Sequence, residues 1–298
     1  MDSLYSKILE IVGEGNVFEY EDMKKHPTFK AGGTARYFVT PEDEHMLSKL
    51  IVLLEGRYNY YIVGNGSNLL VKDEGYDGVI IKIGQKMSYC MADECEIICG
   101  AGAYLSKAAN IALENSLTGL EFAGGIPGFM GGAIAMNAGA YGGEMKDIVK
   151  EVTMLDKEGK IFTLKCDEMD FGYRKSIVQE KEYIVISTVL KLKKGNKEEI
   201  AAKMKEFMTA RKDKQPLEFP SAGSTFKRPE GYFAGKLIMD AGLRGYCVGD
   251  ACVSEKHCGF VVNKGNATAT DIIKLIEEVT EIVKDKFGVL LETEVKII

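Results

Sequence analysis

Apolar residues recur at two spacings along the chain, which predicts a mixture of helices and strands. Helical spacing runs from Leu4 to Val12 and returns near the C-terminus, where Ile272, Ile276, Val279 and Val283 share one face. Shorter apolar runs bounded by glycine or charged turns are typical of strands. The alternation of the two patterns predicts an α/β or α+β protein.

Local start and stop signals place the remaining elements. The sequence Thr40-Pro41-Glu42-Asp43 predicts a helix with Thr40 as N-cap and Pro41 at its first position, running through Leu54. A terminal strand from Val289 would put the carboxylates of Glu292 and Glu294 on the same side. The other predicted elements are strands on both sides of a turn within Tyr60–Val71, a helix from Leu105 to Leu113, a hairpin from Glu151 to Leu164, strand-rich residues 183–192, and helices near 198–211 and 234–241.

One segment has almost no bulky polar side chains and is rich in glycine. Eight of the twenty residues from Gly124 to Gly143 are glycine, and none is charged. Glycine is favoured where another group must approach the backbone closely. The segment is therefore interpreted as a bed for a ligand's phosphates or planar ring, held by main-chain N–H groups. The alternative is a tightly packed loop under a helix.

A second glycine turn, Gly64-Asn65-Gly66-Ser67-Asn68, lies between two apolar runs. Successive N–H groups in such a turn can point inward together and bind an anion. The turn is not a dinucleotide fingerprint of the Rossmann type, because Leu69 replaces the third glycine and a strand follows. A further G-x-G at Gly100–Gly102 is predicted to be a strand-to-helix turn.

Length and charge limit the class of protein. The 298 residues exceed the size of about 250–300 at which one core stops growing, so two or three domains are expected. The net charge of −6 argues against nucleic-acid binding, which needs a clustered cationic surface. The basic run Lys203–Lys214 contains acidic residues and is interpreted as a solvated helix face.

The cysteines and the N-terminus indicate a cytoplasmic protein. Seven cysteines form no C-x-x-C pair and leave one over, so reduced thiols are expected. The first residues lack a basic region followed by an apolar core, and no apolar run reaches membrane-spanning length. Three histidines without a spaced Cys/His cluster make a transition-metal site improbable, so no metal is expected.

Several motifs in one order resemble a known family. They are Y-I-V-G-N-G-S-N-L-L-V at 61–71, the glycine-rich segment at 124–142, F-G-Y-R-K-S at 171–176, S-A-G-S-T-F-K-R-P at 221–229 and L-E-T-E-V-K-I-I at 291–298. Together they resemble the UDP-N-acetylenolpyruvoylglucosamine reductases, or UDP-N-acetylmuramate dehydrogenases, of bacterial peptidoglycan synthesis. Only Ile177–Glu182 separates the arginine motif from the next strand, which resembles the class without an inserted tyrosine loop.

The resemblance implies a two-lobed FAD-binding fold of the vanillyl-alcohol-oxidase (PCMH) type with a small α/β substrate-binding domain. The expected bounds are 1–85 with the terminal strand 289–298 for the first lobe, 86–196 for the second, and 197–288 for the substrate domain. It also implies non-covalent FAD, NADPH as co-substrate and a UDP-sugar enolpyruvyl ether as substrate. No nucleic-acid, membrane or obligatory protein partner is expected.

By position, Arg174, Ser224 and Glu294 match the family's catalytic residues. In the implied reaction NADPH reduces FAD, hydride passes to the methylene carbon of the enolpyruvyl ether, and an enolate-like charge develops beside the carboxylate. Arg174 would hold those oxygens, a protonated Glu294 would donate to them, and Ser224, polarised through water or Lys227, would protonate the other carbon. The family usually has proline where this chain has Thr293.

The resemblance also assigns binding residues. The expected FAD contacts are Gly64, Asn65, Gly66, Ser67, Asn68, Leu69, Gly125, Ile126, Pro127, Gly128, Gly131, Gly132, Asn137, Ala138 and Gly139. The expected substrate contacts are Tyr173, Lys227, Arg228, His257 and Asn263.

Two other functions stay open at this point. One is an oxygen-using FAD oxidase of the same fold, although the chain has no R-G-G-H or R-S-G-H setting for a covalently attached flavin. The other is a flavin- or nucleotide-binding module without chemistry, in which Arg174 would be an ordinary ion-pair partner, Ser224 a turn hydroxyl and Glu294 a surface carboxylate.

Overall fold

The structure, a computed structural model, describes residues 3–298. Its helices are α1 Ser3–Val12, α2 Glu44–Leu54, α3 Leu105–Glu114, α4 Met130–Ala135, α5 Ile177–Glu180, α6 Lys197–Lys214, α7 Ala234–Asp240 and α8 Ala269–Phe287. Its strands are β1 Val17–Asp22, β2 Thr34–Val39, β3 Tyr60–Val63, β4 Leu69–Leu70, β5 Tyr76–Lys82, β6 Cys90–Asp93, β7 Glu96–Gly100, β8 Leu117–Thr118, β9 Gly139–Ala140, β10 Gly143–Glu144, β11 Val149–Leu155, β12 Ile161–Lys165, β13 Ile184–Lys191, β14 Lys193–Lys194, β15 Cys247–Val248, β16 Ala251–Val253, β17 Val261–Asn263 and β18 Lys296–Ile297.

The chain divides into two compact units, each assembled from three segments. The first contains residues up to Glu19, Tyr37–Asn65 and Gly78–Arg211, and the second contains Tyr20–Arg36, Gly66–Asp77 and Lys212–Ile298. Strands β1, β2, β5 and β3 form a four-stranded sheet in that order, with β3 parallel to β5.

The first unit is built on a five-stranded antiparallel sheet in the order β12-β11-β13-β7-β6. Helix α3 packs against β6 and α4 against β13. The predicted hairpin within 151–164 is confirmed, with Leu155 opposite Ile161 across its turn. Apolar residues from these elements, among them Leu105, Ile134 and Val152, form one continuous core.

The second unit has its own core around α8. This helix begins with a capping box between Thr268 and Asp271 and ends at Gly288, which adopts the left-handed conformation. The apolar face predicted from the sequence is buried, and the helix packs against β15 and β16 of the three-stranded sheet β15-β16-β17. A parallel pair, β4 with β18, joins the glycine turn to the C-terminal residues.

Two predicted boundaries are wrong. Helix α2 begins at Glu44, because the side chain of Asp43, not that of Thr40, accepts the hydrogen bond from the Met46 N–H at 2.8 Å. The terminal strand is also shorter than expected. Only Lys296–Ile297 are strand, and before them Thr293 makes an isolated bridge to Phe226.

The expectation that all cysteines are reduced is also wrong, because Cys247 and Cys252 form a disulfide. The two residues face each other across the β15–β16 hairpin, with Cα atoms 4.1 Å apart. A separation of five residues in sequence does not reveal this pairing, since it depends on a two-residue turn at Gly249 and Asp250. Five other cysteines are free thiols.

Among residues 3–298, no helix is both long and apolar enough to cross a membrane.

Gly102 tests the packing of the turn that precedes α3. A Cβ at this position would lie 2.1 Å from the Gly84 main-chain oxygen, whose backbone cannot move aside as a flexible side chain could. We expect Gly102→Ala to lower the free energy of unfolding by roughly 1–3 kcal/mol, measured by urea denaturation. The matched control is Gly84→Ala, where the new methyl meets only Lys82 Cγ at 3.9 Å and the effect should stay within about 0.5 kcal/mol. Equal losses in both variants would contradict this account.

Candidate functional site

The two predicted glycine segments meet within the first unit. The side-chain Nδ2 of Asn65 donates to the main-chain oxygen of Pro127 at 2.8 Å. A Cβ placed on Gly64 would lie 3.4 Å from the ring of Phe129, which packs edge-on against Tyr104 with ring centroids 4.5 Å apart. The Tyr104 hydroxyl lies 3.5 Å from the Asn65 side-chain oxygen. The bed and the beginning of the anion-binding turn therefore share one surface.

The third glycine turn, Gly100–Gly102, is joined to the bed by main-chain hydrogen bonds. The Gly131 N–H donates to the Ala101 oxygen at 2.9 Å, and the Met130 N–H donates to the Ala103 oxygen at 2.8 Å. A Cβ on Gly131 would lie 3.0 Å from that of Ala101. The strand-to-helix turn predicted at Gly100–Gly102 is thus also the surface on which the bed rests.

The glycines of the bed have different roles. Several are required by internal packing, as the alternative of a tightly packed loop predicts: a Cβ on Gly139 would lie 2.9 Å from the Gly143 oxygen, and one on Gly143 would lie 2.6 Å from the Phe122 ring. Gly132 differs, because within residues 3–298 no atom other than those of its chain neighbours and its own helix backbone lies within 4 Å of its Cβ position. Gly132 is exposed and leaves room for another molecule.

Each unit, taken by itself, has main-chain donors in its part of the predicted glycine segments. In the first unit, within residues 3–298, the N–H groups of Asn65 and Phe129 donate no hydrogen bond. In the second unit the same holds, within that described range, for the N–H groups of Gly66 and Ser67. Phosphate oxygens accept hydrogen bonds from such groups.

The remaining residues predicted to contact the cofactor have these positions. Ile126 is half-buried against the core, Ala138 and Leu69 are buried, and Gly128 is half-buried. A Cβ on Gly125 would lie 3.1 Å from the Arg211 guanidinium.

Asn137, predicted to bind the cofactor, has its side chain committed to the protein. Its amide nitrogen donates to Glu144 Oε2 at 2.5 Å and to the Gly172 oxygen at 3.0 Å, and its Oδ1 accepts from the Lys146 N–H at 2.9 Å. The residue is 2% exposed and has a left-handed φ of 44°. Its observed role is to attach the F-G-Y-R-K-S turn to the bed.

Arg174 lies at the tip of that turn. Gly172 and Lys175 are paired by two main-chain hydrogen bonds of 3.0 and 3.3 Å, which leaves Tyr173 and Arg174 as a two-residue loop. Arg174 adopts the left-handed conformation with φ 55°, and its guanidinium carbon lies 5.6 Å from the centre of the exposed Tyr173 ring. The fully buried Ser176 anchors the end of the turn through a 2.8 Å hydrogen bond to the Ala135 oxygen.

The other two predicted catalytic residues belong to the second unit. The Glu294 N–H donates to the oxygen of Thr225, the residue after Ser224, at 2.8 Å. The Asn68 side-chain nitrogen donates to the main-chain oxygen of Glu294 at 3.0 Å. Thr225 is fully buried, and its hydroxyl accepts from the Val261 N–H at 2.9 Å. The main chains at Ser224 and Glu294 are therefore held side by side, and both residues are half-buried.

The side chains of Lys227 and Arg228, both in the loop before α7, have partners within the protein. The Lys227 ammonium makes an ion pair with the exposed carboxylate of Glu292, so a pairing with Ser224 is not observed. Arg228 places its guanidinium 4.0 Å from the centre of the Phe233 ring, and its Nε donates to the Tyr232 oxygen at 3.3 Å.

His257 and Asn263 also have partners within the second unit. The His257 Nδ1 accepts from the Gly259 N–H at 3.1 Å, and burial lowers the pKa of the imidazole, which favours the neutral ring at pH 7. Asn263 is 2% exposed and bonds to Phe29 O at 3.1 Å and to the N–H groups of Gly265 and Ala267 at 3.0 Å each. Its amide thus holds together three segments of the second unit.

The sequence did not single out Tyr104, Ser176 or Thr225. Each acts through a contact between segments distant in sequence, so local spacing carries no signal for it. Thr225 and Ser176 lie within the S-A-G-S-T-F-K-R-P and F-G-Y-R-K-S motifs, but those motifs predict a role only for the neighbouring Ser224 and Arg174.

Comparisons with known proteins identify an FAD-binding domain in this chain. Residues 35–165 match a family model described as an FAD binding domain. The solved structure of BBE-like 1 from Physcomitrella patens shares the fold, with a TM-score of 0.51 at 14% identity. The alignment covers 64% of this chain and 44% of that one. The open face at Gly132 and the unused N–H groups fit the isoalloxazine ring and diphosphate of FAD. The chain is therefore an FAD-dependent oxidoreductase with the PCMH-type fold.

The matches to the whole chain are more specific. Residues 215–298 match the model of the UDP-N-acetylenolpyruvoylglucosamine reductase C-terminal domain. The chain belongs to the UDP-N-acetylenolpyruvoylglucosamine reductase family. Reductases of that name from Caldanaerobacter subterraneus and Agathobacter rectalis are 52% and 53% identical, over 99% and 98% of this chain and 98% and 96% of theirs. The crystal structure of the Thermus caldophilus reductase aligns with a TM-score of 0.81 at 38% identity, covering 93% of this chain and 97% of that one.

Family membership confirms the predicted fold class and reaction class. The chain is a flavoprotein that uses FAD as cofactor and NADPH as co-substrate in peptidoglycan synthesis.

Gly132 tests the open face of the bed. Alanine is favoured over glycine within helices by up to about 1 kcal/mol, so Gly132→Ala should leave the apoprotein as stable as before or more stable. The added methyl occupies the space assigned to the flavin, so we expect less FAD per polypeptide after purification, measured from the visible spectrum of the denatured protein. Gly84→Ala, which adds the same methyl outside the glycine segments, should retain full FAD content. Full FAD content in Gly132→Ala would remove Gly132 from the flavin site.

Proposed function

We propose that this chain reduces UDP-N-acetylglucosamine enolpyruvate to UDP-N-acetylmuramate, with Arg174, Ser224 and Glu294 as its catalytic residues. FAD held by the glycine segments would supply hydride chemistry, with NADPH as the reductant and the methylene carbon of the enolpyruvyl ether as the acceptor. The protein must then stabilise the negative charge that develops beside the substrate carboxylate and deliver a proton to the neighbouring carbon.

The conformation of Arg174 is the observation that carries the proposal. A non-glycine residue in the left-handed region costs roughly 1–2 kcal/mol, and glycine would avoid this cost in a two-residue loop. The surroundings keep the loop in place through the Asn137 bond to Gly172 and the buried Ser176 bond to Ala135. An arginine held at this position against its backbone preference suits a functional role. Its permanent, planar cation can hold carboxylate or enolate oxygens.

Ser224 and Glu294 provide the remaining groups. Their main chains are held together by the Glu294 N–H bond to Thr225 and by the buried Thr225 hydroxyl. These contacts fix the main chain of the loop at Ser224 and of the segment before β18 at Glu294, which supports a defined geometry. In the proposal the Ser224 hydroxyl delivers the proton to carbon, and a protonated Glu294 carboxyl donates to the substrate oxygens. Ser224 would be polarised through water or through Lys227, whose ammonium is paired with Glu292.

The binding residues stay as proposals. For FAD they are Gly64 to Leu69 and the bed residues Gly125 to Gly139 named above, with Asn137 acting through its hydrogen bonds to the arginine turn. For substrate they are Tyr173, Lys227, Arg228, His257 and Asn263, of which Arg228 and Lys227 offer positive charge to the diphosphate.

The wider context is also proposed. We infer that the enzyme works in the cytoplasm, without a nucleic-acid, membrane or obligatory protein partner, on a UDP-sugar enolpyruvyl ether. We retain domain bounds of 1–85 with 289–298, 86–196 and 197–288. If the chain were instead an oxidase of this fold, NADPH consumption would require only oxygen. Consumption that depends on the enolpyruvyl sugar under anaerobic conditions supports the reductase.

Ser224 is tested by separating the two half-reactions in anaerobic stopped-flow experiments. Ser224→Ala should reduce its flavin with NADPH at the normal rate. Reoxidation of the flavin by the enolpyruvyl sugar should slow by roughly 10²- to 10⁴-fold, the usual range for loss of a general acid. Ser221→Ala, in the same loop, is the matched control and should leave both rates unchanged. Equal slowing of both half-reactions in Ser224→Ala would refute the assignment.

Arg174 is tested by replacing it with the residue its backbone prefers. Arg174→Gly should raise the free energy of unfolding by up to about 1 kcal/mol, because the left-handed conformation no longer costs energy, while reoxidation by substrate becomes much slower. Glu94→Gly, at another left-handed position with φ 50°, should gain similar stability and keep full turnover. A variant at Arg174 that turns over normally would show that the residue serves only the turn.

A further inference from the structure

Two β-hairpins in this protein carry a pair of cysteines on facing strands. In the second unit, Cys247 and Cys252 face each other across β15 and β16 and form a disulfide. In the first unit, Cys90 and Cys99 face each other across β6 and β7, and both are free thiols. The two cysteine pairs also occupy the same kind of position in the hydrogen-bonding pattern of their strands.

Both pairs occupy non-hydrogen-bonded positions of an antiparallel ladder. In each hairpin the neighbouring pair carries the hydrogen bond: the Val253 N–H donates to Tyr246 O at 2.8 Å, and the Gly100 N–H donates to Tyr89 O at 2.9 Å. Facing side chains are closer at non-hydrogen-bonded positions than at hydrogen-bonded ones. The same backbone relation that carries a disulfide in one hairpin is thus present in the other.

The sulfurs of Cys90 and Cys99 are already close to bonding distance. Their Sγ atoms are 3.0 Å apart, so a disulfide requires an approach of about 1 Å. Side-chain rotation within a hairpin can supply such a movement without changing the strand register.

The two thiols differ in access and in acidity. Cys90 is half-buried on β6, the last strand of the five-stranded sheet, whereas Cys99 is buried on the inner strand β7. Their mutual hydrogen bond lowers the pKa of the Cys90 thiol and raises that of the Cys99 thiol, and the Lys107 cation lowers the pKa of Cys90 further. A small reagent from solvent therefore meets the more acidic thiol first.

We propose that Cys90 and Cys99 form a reversible dithiol–disulfide couple, with Cys90 as the attacking thiol and Cys99 as the resolving thiol. The oxidant is a low-molecular-weight disulfide such as oxidised glutathione. In cytosolic proteins, disulfides of this kind are typically transient and redox-responsive. The couple would be a modification site in the flavin-binding unit that is independent of Arg174, Ser224 and Glu294.

The exchange takes place in two balanced steps. The Cys90 thiolate attacks one sulfur of the small disulfide, forms a mixed disulfide, and releases the first small thiolate. The Cys99 thiolate then attacks the Cys90 sulfur, forms the Cys90–Cys99 bond, and releases the second small thiolate. The two protons lost by the cysteines end on the released thiolates, so the protein loses two electrons and the small disulfide gains them. Excess small thiol reverses both steps.

The test uses the FAD-loaded enzyme with oxidised glutathione as the oxidant. Free thiols are blocked with N-ethylmaleimide after the reaction, and peptides are mapped by mass spectrometry without reduction. We expect a cross-linked peptide that joins Cys90 to Cys99, lost again after treatment with excess reduced glutathione. A wild-type map in which both cysteines carry maleimide, or in which Cys90 is joined to Cys95, would overturn the proposal without any variant being needed.

Single variants then separate the two roles. Cys99→Ala should stop at glutathione attached to Cys90, because the resolving thiol is gone, and Cys90→Ser should give neither the cross-link nor glutathione on Cys99. Cys166→Ser, which removes another half-buried thiol of the same unit, should form the cross-link as the wild type does. Glutathione on Cys99 in the Cys90→Ser protein at the wild-type rate would reverse the assigned roles and contradict the proposal.

Discussion

Buried or half-buried main chain needs hydrogen-bond partners, and the glycine-rich bed has few side chains with which to provide them. Other segments of the first unit supply these partners. Ala101 and Ala103 accept from the bed on one side, and Asn65 donates to the Pro127 oxygen on the other. The bed is thereby fixed as a surface, and main-chain N–H groups left over at its edge suit a diphosphate. The proposed flavin site depends on this arrangement more than on any single side chain.

The same constraint links the cofactor surface to the chemistry. Asn137 lies within the bed, yet its amide reaches the Gly172 oxygen and so holds the loop that carries Arg174. Ser176 repeats the connection through the Ala135 oxygen. In the second unit, Asn68 performs a comparable role, because its side chain bonds to the main chain of Glu294. Residues of the glycine segments therefore position the proposed catalytic groups as well as the ligand.

Errors in the sequence interpretation have identifiable physical causes. Thr40 and Asp43 are both good caps, and the choice between them depends on which side chain reaches a free N–H. The terminal strand is short because its residues 290–295 have only an isolated bridge to Phe226 where a continuous ladder was predicted. Lys227 and Asn263, both proposed substrate contacts, also have protein partners that local spacing does not predict, namely the Glu292 carboxylate and the Phe29 main-chain oxygen. The terminal strand depends on a partner far away in sequence, whereas the helix cap is decided among neighbouring residues.

The sequence by itself determined the elements, the separate glycine segments and the family, since periodicity, glycine content and ordered motifs are local properties of the chain. Tertiary structure decided which glycines serve packing and which face open space. It also decided that Cys247 and Cys252 form a disulfide, whereas Cys90 and Cys99 are thiols in contact. The left-handed conformation of Arg174 is likewise a property of the folded chain. The reason is that these properties depend on distances set by folding, between strands of one hairpin as well as between segments far apart in the chain, and on backbone angles that long-range contacts impose.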